Sequence, residues 1–172
     1  MTFYMRIKAL LVLMVLGATL SKGVLAATQL VTSSITFGGA PITMVINNTL
    51  DFGAVEAGSP GTYTVSTAGA LSYSGPGIPE GGTASAANIT IAGSLTQNIG
   101  ITVGNIVANN GVTLANLVCD YNGGGSGSCT INGGAPAGTG KTLLVGGDAV
   151  VGTGQSDGTV AHPSFDVTVV YQ

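Results

Sequence analysis

The chain has 172 residues, of which seven are acidic and four are basic, so its formal net charge is −3. Charged residues make up only 6% of the sequence, whereas 29 residues are glycine. Such a chain lacks the basic surface that nucleic acids and anionic lipids require. Its length suits one domain with a core of its own.

The first 26 residues predict a secretory signal peptide. "MTFYMRIK" supplies a positive start with Arg6 and Lys8, an apolar run extends from Ala9 to Ala18, and "VLA" follows where a signal peptidase cuts. We expect cleavage after Ala26, with cleavage after Ala27 as the alternative. A retained membrane anchor is disfavoured because the apolar run is too short to span a bilayer. The mature protein is therefore expected to be exported and to have no membrane span.

Residues 27–40, after the predicted cut, have the pattern of an extended arm. Val31, Ser33, Ile35 and Phe37 alternate along one face before "GGAP" interrupts the pattern. Such a break is a natural hinge, and an alternating segment ahead of a domain can pair with a strand elsewhere. The alternative is that these residues form the first strand of the domain itself, which we expect to span residues 41–172.

Segments with period-two alternation, bounded by glycine, proline and asparagine, follow through the rest of the chain. In chain order they are "PITMVINN", "TLDFGAV", "GTYTVST", "ANITIAGSL", "QNIGITV", "VTLANLVC", "KTLLVGG", "DAVVG" and "SFDVTVVYQ". The last places Phe165, Val167, Val169 and Tyr171 on one face. Two glycine-rich stretches, residues 66–87 and 119–140, are expected to be loops. Short strands at close spacing predict an all-β fold, an antiparallel β-sandwich.

Cys119 and Cys129 both follow the predicted cleavage site and enclose "DYNGGGSGS". In an oxidising compartment we expect them to form a disulfide. Closing this loop contributes on the order of 2–3 kcal/mol in the chain-entropy model. A metal site is not expected, because two thiols and the distant His162 do not supply the four ligands of a zinc site.

The stretch "APAGTGKT" ends with Gly140, Lys141 and Thr142 and resembles a phosphate-binding loop. That loop needs a helix after it, whose N-terminus holds the phosphates. Here "TLLVGG" follows and predicts a strand. We therefore expect no nucleotide and no cofactor, and we interpret Lys141 as a solvated lysine on a strand edge.

The stretch "GQSDG" around Ser156 matches the nucleophile motif of hydrolases, and His162 with Asp157 or Asp166 could complete a triad. That motif requires a strand, a sharp turn and a helix. Here it lies between "DAVVG" and "SFDVTVVY", at the spacing of a hairpin. We favour a serine in a turn and expect no catalytic activity.

Two stretches resemble a bacterial family known as domain of unknown function 4402. They are "TLDFGAVEAGSPGTYTVS" near the start and "LLVGGDAVVGTGQSDGTVAHPSFDVTVVYQ" at the end. The recurring marks of the family are the "LDFG" opening and the "VGG … VTVxY" close. The resemblance covers residues 41–172. The family is similar to pilin-like proteins, in particular to fimbrial and spore-coat-U-like subunits of chaperone–usher pili.

This resemblance implies an immunoglobulin-like sandwich that lacks one strand. The arm of a neighbouring subunit, here Gln29 to Phe37, would fill the groove by donor-strand exchange. A periplasmic chaperone would first hold the C-terminal strand, here Phe165 to Tyr171, and an outer-membrane usher would then assemble the fibre at the cell surface. The cysteines depart from the common fimbrial pattern, in which an early strand is linked to a later one.

We therefore expect a structural subunit of a bacterial pilus or fimbria, with other copies of itself as partners and a role in adhesion or biofilm. The alternative is a monomeric secreted β-sandwich that binds carbohydrate or a surface. In that case the arm folds back onto its own domain.

Overall fold

The computed structural model describes residues 39–172, and these residues form strands joined by turns and loops. The predicted signal peptide and residues 27–38 of the predicted arm lie outside the described residues. In the described part, no helix has the length and hydrophobicity needed to cross a membrane. The strands are β1 (Thr43–Asn48), β2 (Ala54–Val55), β3 (Gly61–Val65), β4 (Leu71–Ser74), β5 (Pro79–Gly81), β6 (Ala87–Ala92), β7 (Ile99–Val107), β8 (Val112–Tyr121), β9 (Gly127–Ser128), β10 (Thr130–Gly134), β11 (Lys141–Val151) and β12 (Ser164–Tyr171).

Two antiparallel sheets form the sandwich. The larger sheet has the order β1-β6-β11-β3-β4, with β8 also paired to β11 and β9 paired to β8. The smaller sheet has the order β10-β7-β12, and β2 and β5 form a short ladder of their own. The predicted all-β antiparallel sandwich is thereby confirmed.

The main core lies between the two sheets and is built from branched aliphatic side chains at alternating positions. This spacing explains why the segments form strands, since every second side chain of a strand points to the same face. Each fully buried side chain of this size contributes roughly 1.5–3 kcal/mol. The central members are Ile89 and Ile91 of β6, Ile99 and Ile101 of β7, and Leu143 and Val145 of β11.

A second, smaller cluster explains the "LDFG" stretch. Phe52 packs against this cluster, whose buried members are Tyr63, Ala149 and Val151. The carboxylate of Asp51 accepts a hydrogen bond of 2.8 Å from the backbone N–H of Gly53 and so holds the chain in a tight turn. Gly53 has a φ of 73°, and a Cβ there would lie 2.7 Å from the carbonyl oxygen of Gly81. Only glycine fits this position without strain.

The strand β11 organises the larger sheet, because three strands pair with it. One edge pairs with β8 from Leu143 to Val151. The other edge pairs first with β6, from Lys141 to Val145, and then with β3, from Gly147 to Val151. Gly146 stands between these two neighbours. A Cβ there would overlap the carbonyl oxygen of Val65 on β3. The "VGG" stretch is therefore required by a close backbone approach.

The structure corrects one expectation about this region. "KTLLVGG" and "DAVVG" are one continuous strand, β11, which pairs with β8 from Leu143 to Val151 with a shift of register between Gly146 and Asp148. Lys141 is the first residue of this strand and is opposite Ile91 of β6, whereas the pairing with β8 begins only at Leu143. The neighbours that bury β11 are distant in sequence, so local pattern did not reveal its central place.

The two stretches expected to be loops contain short strands. The first includes β4 and β5, and the second includes β9 and β10. Their sequences are rich in glycine and serine and carry little hydrophobic alternation. Three of them form strands where a longer strand offers backbone partners: β4 pairs with β3, β9 with β8 and β10 with β7. The fourth, β5, pairs with the equally short β2.

The predicted disulfide between Cys119 and Cys129 is present. Cys119 lies on β8 of the larger sheet, and Cys129 lies between β9 of that sheet and β10 of the smaller one. Both cysteines are buried in the main core. The bond is local in sequence, yet it fixes the point at which the chain crosses from one sheet to the other.

The hydroxyl of Tyr63 is buried and has no hydrogen-bond partner among the described residues. Gly77 packs over it, since a Cβ there would lie 2.6 Å from the hydroxyl oxygen. Burial raises the pKa of Tyr63, and the nearby Glu56, Tyr73 and Glu80 raise this pKa further.

We expect Gly146→Ala to lower the free energy of unfolding by roughly 1–3 kcal/mol, because the added methyl group overlaps backbone that cannot move without breaking the β11–β3 ladder. The measurement is urea denaturation followed by circular dichroism. Gly104→Ala on β7 is the matched control, since a Cβ there meets no atom within 4 Å. Equal stability of the two variants would contradict the close approach.

We expect Tyr63→Phe to leave the free energy of unfolding at pH 7 unchanged or slightly raised, because it removes a buried hydroxyl without a protein partner. An unfolded tyrosine ionises near pH 10, and the raised folded pKa resists this. The wild type should therefore lose stability as the pH rises above about 10, and the variant should lose less. Denaturation at pH 8 and pH 11 checks this, with Tyr73→Phe on the exposed stacked ring as control.

Candidate functional site

The predicted C-terminal site residues Phe165, Val167, Val169 and Tyr171 all lie in β12. Each is half-buried and packs against the main core. The alternation predicted from the sequence is confirmed, since the residues between them are exposed. The predicted arm residues, Val31, Ser33, Ile35 and Phe37, lie outside the described residues.

Two edge strands leave backbone groups unpaired. β12 pairs with β7 along one edge, and no strand within residues 39–172 pairs with its other edge. β1 pairs with β6 in the same one-sided way. Free edges of this kind can accept a further strand, and soluble proteins usually protect them.

The inner face of β1 is not covered by any other strand of residues 39–172. Met44 is directly opposite Ile91 and Ile46 is directly opposite Ile89, so these four side chains share the core side of the sheet. Both isoleucines of β6 are buried, whereas Met44 is 46% and Ile46 is 68% exposed. The smaller sheet therefore covers β6 but does not reach β1.

The two edge strands lie on the same side of the sandwich. A Cβ on Gly93 would lie 3.6 Å from the side chain of Ile42, next to β1, and 3.4 Å from the ring of Tyr171 on β12. We call the apolar strip along their inner faces the open seam. Its residues are Met44 and Ile46 on β1, and Phe165, Val167 and Val169 on β12.

Tyr171 closes one end of the open seam. Its hydroxyl donates a hydrogen bond of 2.6 Å to the carbonyl oxygen of Ala40 and accepts one of 2.8 Å from the backbone N–H of Ser94. The next residue, Gln172, donates its backbone N–H to the carbonyl oxygen of Asn98 at 3.0 Å. The first described residues are thereby held at the end of the sandwich where β12 finishes.

The chemistry of the open seam is apolar and hydrogen-bonding. None of its five side chains is charged, and the exposed backbone edge of β12 offers donors and acceptors at strand spacing. Such a surface suits an extended peptide with alternating apolar side chains. Sequence reasoning identified the β12 half. It did not identify Met44 and Ile46 as site residues, because they alternate in sequence as the residues of a buried strand do. Their exposure depends on the width of the opposite sheet.

The stretches that resemble a phosphate-binding loop and a hydrolase nucleophile motif lie at the start of a strand and in a connecting segment. The stretch ending in Lys141 leads into β11 and not into a helix. Ser156 lies in the turn region between β11 and β12, and the described residues contain no hydrogen bond between its hydroxyl and His162. The backbone N–H of His162 instead donates to the side-chain oxygen of Asn109.

These features define an antiparallel β-sandwich domain with one uncovered side, crossed by a disulfide at the opposite side of the core. The chain belongs to the family described as Domain of unknown function (DUF4402), whose model matches residues 42–171. No curated protein and no solved structure matches the chain.

We expect Tyr171→Phe to lower the free energy of unfolding by roughly 1–3 kcal/mol, because it removes two hydrogen bonds and leaves the Ser94 N–H without its partner. Amide exchange at Ser94 should become faster in the variant. The control is Tyr121→Phe, which removes one hydroxyl contact to the Ala135 carbonyl elsewhere and should leave exchange at Ser94 unchanged. Slow exchange at Ser94 in Tyr171→Phe would show that the hydroxyl does not hold this loop.

Proposed function

We propose that the protein is a structural subunit of a bacterial surface pilus or fimbria, and that it polymerises by donor-strand exchange. The arm from Gln29 to Phe37 of one copy lies in the open seam of the next. The observation that carries this proposal is the exposed inner face of β1, where Met44 and Ile46 stand beside buried core residues with nothing from residues 39–172 over them.

The arm has the length and pattern that the open seam requires. β12 has eight residues, and the arm from residue 29 to residue 37 has a similar extended length at about 3.3 Å per residue. Its alternating residues are Val31, Ser33, Ile35 and Phe37. Three of the four are apolar, so one face of the arm matches the apolar strip.

The insertion of a strand stabilises the fold in two ways. It satisfies the unpaired backbone groups of β12, and it buries the exposed side chains of the open seam together with those of the arm. Each large apolar side chain that becomes buried contributes roughly 1.5–3 kcal/mol. An uncovered seam of this kind would otherwise favour aggregation.

The direction of the strands favours a neighbouring copy as the donor. Ala40 is held at the Tyr171 end of β12, so the arm joins the domain where β12 finishes. If the arm lay in its own seam, it would run towards this end and thus parallel to β12. An arm from another copy can run antiparallel, which is the slightly more stable pairing.

Export and assembly factors complete the proposal. A disulfide fits an oxidising compartment outside the cytoplasm, in agreement with the predicted signal peptide. Before assembly, a periplasmic chaperone covers β12, and an outer-membrane usher then passes the subunit to the growing fibre. At the cell surface the fibre serves adhesion or biofilm formation.

A monomeric secreted binding module is the second candidate. A polar cleft of about 320 Å³ lies between the β11–β12 connection and the β7–β8 turn, lined by residues that include Asn110, Gln155 and Ser156. Amide and hydroxyl groups of this kind can hydrogen-bond a sugar. We rank it second because it leaves the open seam without a role.

The test of the fibre proposal uses one variant that cannot donate its arm and one variant whose open seam cannot accept an arm. We expect purified exported protein to form SDS-resistant multimers, and Phe37→Asp and Ile46→Asp each to remain monomeric. A charge on the arm prevents donation, and a charge in the seam prevents acceptance, because neither can be buried without a partner. An equimolar mixture of the two variants should give heterodimers and no longer species, measured by size-exclusion chromatography with light scattering.

The matched control is Val45→Asp, which introduces the same charge one residue away, on the exposed outer face of β1. It should form multimers as the wild type does. Wild-type protein that stays monomeric, or multimers that survive Ile46→Asp, would exclude donor-strand exchange through the open seam.

A further inference from the structure

The two ends of the sandwich carry exposed apolar side chains. The lower end, where β12 finishes, includes the β6–β7 loop with Leu95, which is 75% exposed. Ser94 of this loop shares the Tyr171 hydroxyl with Ala40. The upper end, where β12 begins, includes Val107, which is 52% exposed and close in register to the start of β12.

Val160 belongs to the same upper end and is 63% exposed. Its carbonyl oxygen accepts a hydrogen bond of 2.7 Å from the side chain of Asn110 in the β7–β8 turn. The length of β12 separates the two ends by about 23 Å. One molecule therefore cannot bring Leu95 into contact with Val107 or Val160.

We propose that the lower end of one copy docks on the upper end of the next, with Leu95 packed against Val107 and Val160. This inference rests on the proposed strand exchange and adds a second interface to it. Its partner is another copy of this chain.

The geometry of the exchange requires this arrangement. In an antiparallel insertion the arm runs from the lower to the upper end of the acceptor, so Phe37 lies beside the start of the acceptor's β12. Only three residues, at most about 10 Å of chain, lead from Phe37 to Ala40. Ala40 lies at the donor's lower end, together with the Leu95 loop. The donor's lower end is therefore brought against the acceptor's upper end.

A parallel insertion between copies would have the opposite consequence. Phe37 would then lie at the acceptor's lower end and bring two lower ends together. Each copy could return its own arm, which closes a two-fold dimer, whereas the antiparallel contact is heterologous and continues into a filament. The pairing of Leu95 with Val160 thus distinguishes a filament from a closed dimer.

The chemistry of the two ends is complementary. The β6–β7 loop, residues 93–98, contains no charged residue, and the contact with Val107 and Val160 is apolar. The β11–β12 connection, residues 152–163, contains two titratable residues, Asp157 and His162. An apolar contact of this kind strengthens the fibre without depending on ionic strength.

The experiment compares the assembly rates of full-length exported protein and of end variants. We expect Leu95→Asp to slow assembly by about tenfold, the effect of losing one partly buried apolar contact, and Val160→Lys to do the same. When the Leu95→Asp chain donates its arm to the Val160→Lys chain, the opposite charges meet in the contact. We expect this mixture to regain much of the wild-type assembly rate. Phe37→Asp in the Val160→Lys chain and Ile46→Asp in the Leu95→Asp chain enforce this direction.

Both changes are on exposed loops, and matching thermal unfolding of the monomers would show that folding is intact. Unchanged assembly of both single variants would overturn the end-to-end contact while leaving strand exchange in place. Slower assembly of both single variants that the opposite charges do not restore would also overturn the end-to-end contact. Wild-type protein that forms no multimers would instead refute the proposed function itself.

Discussion

The sandwich depends on the close packing of backbone around β11. One edge of this strand pairs with β8. The other edge pairs with β6 before Gly146 and with β3 after it. At Gly146 the backbone is so close to the Val65 carbonyl oxygen that a Cβ would not fit. Because its partner changes at Gly146, β11 contributes residues both to the main core and to the smaller cluster around Tyr63. It also places β6, and with it β1, at the far side of the larger sheet.

The open seam follows from a mismatch between the two sheets. The smaller sheet has three strands and ends at β12. It covers β6 of the larger sheet. The larger sheet extends one strand further, so no strand of residues 39–172 lies opposite the inner side chains of β1. An additional strand beside β12 would give the smaller sheet the width it lacks, and this is the place that we propose for the arm of another copy. The disulfide at the sheet crossing holds the other side of the core in place.

Much of the fold was predictable from local pattern. Period-two alternation located the long strands, and the branched residues at those positions became the core, as with Ile89 and Ile91. The disulfide was expected from the predicted export and the presence of two cysteines, and it is present. The short strands β4, β9 and β10 were not predictable, because their sequences carry little hydrophobic alternation and form strands where longer strands offer backbone partners. The central place of β11 was not predictable either, because its partners β3, β6 and β8 come from distant parts of the chain.

The candidate site was predictable only in part. The inward face of β12 was read from Phe165, Val167 and Val169, because alternation in a strand is a local property of the chain. The sequence by itself determined the strands, the apolar face of each, and the arm pattern ahead of residue 41. Only the tertiary structure decided that Met44 and Ile46 are exposed. Burial depends on which strands from distant parts of the chain come to lie opposite, and alternation carries no information about that.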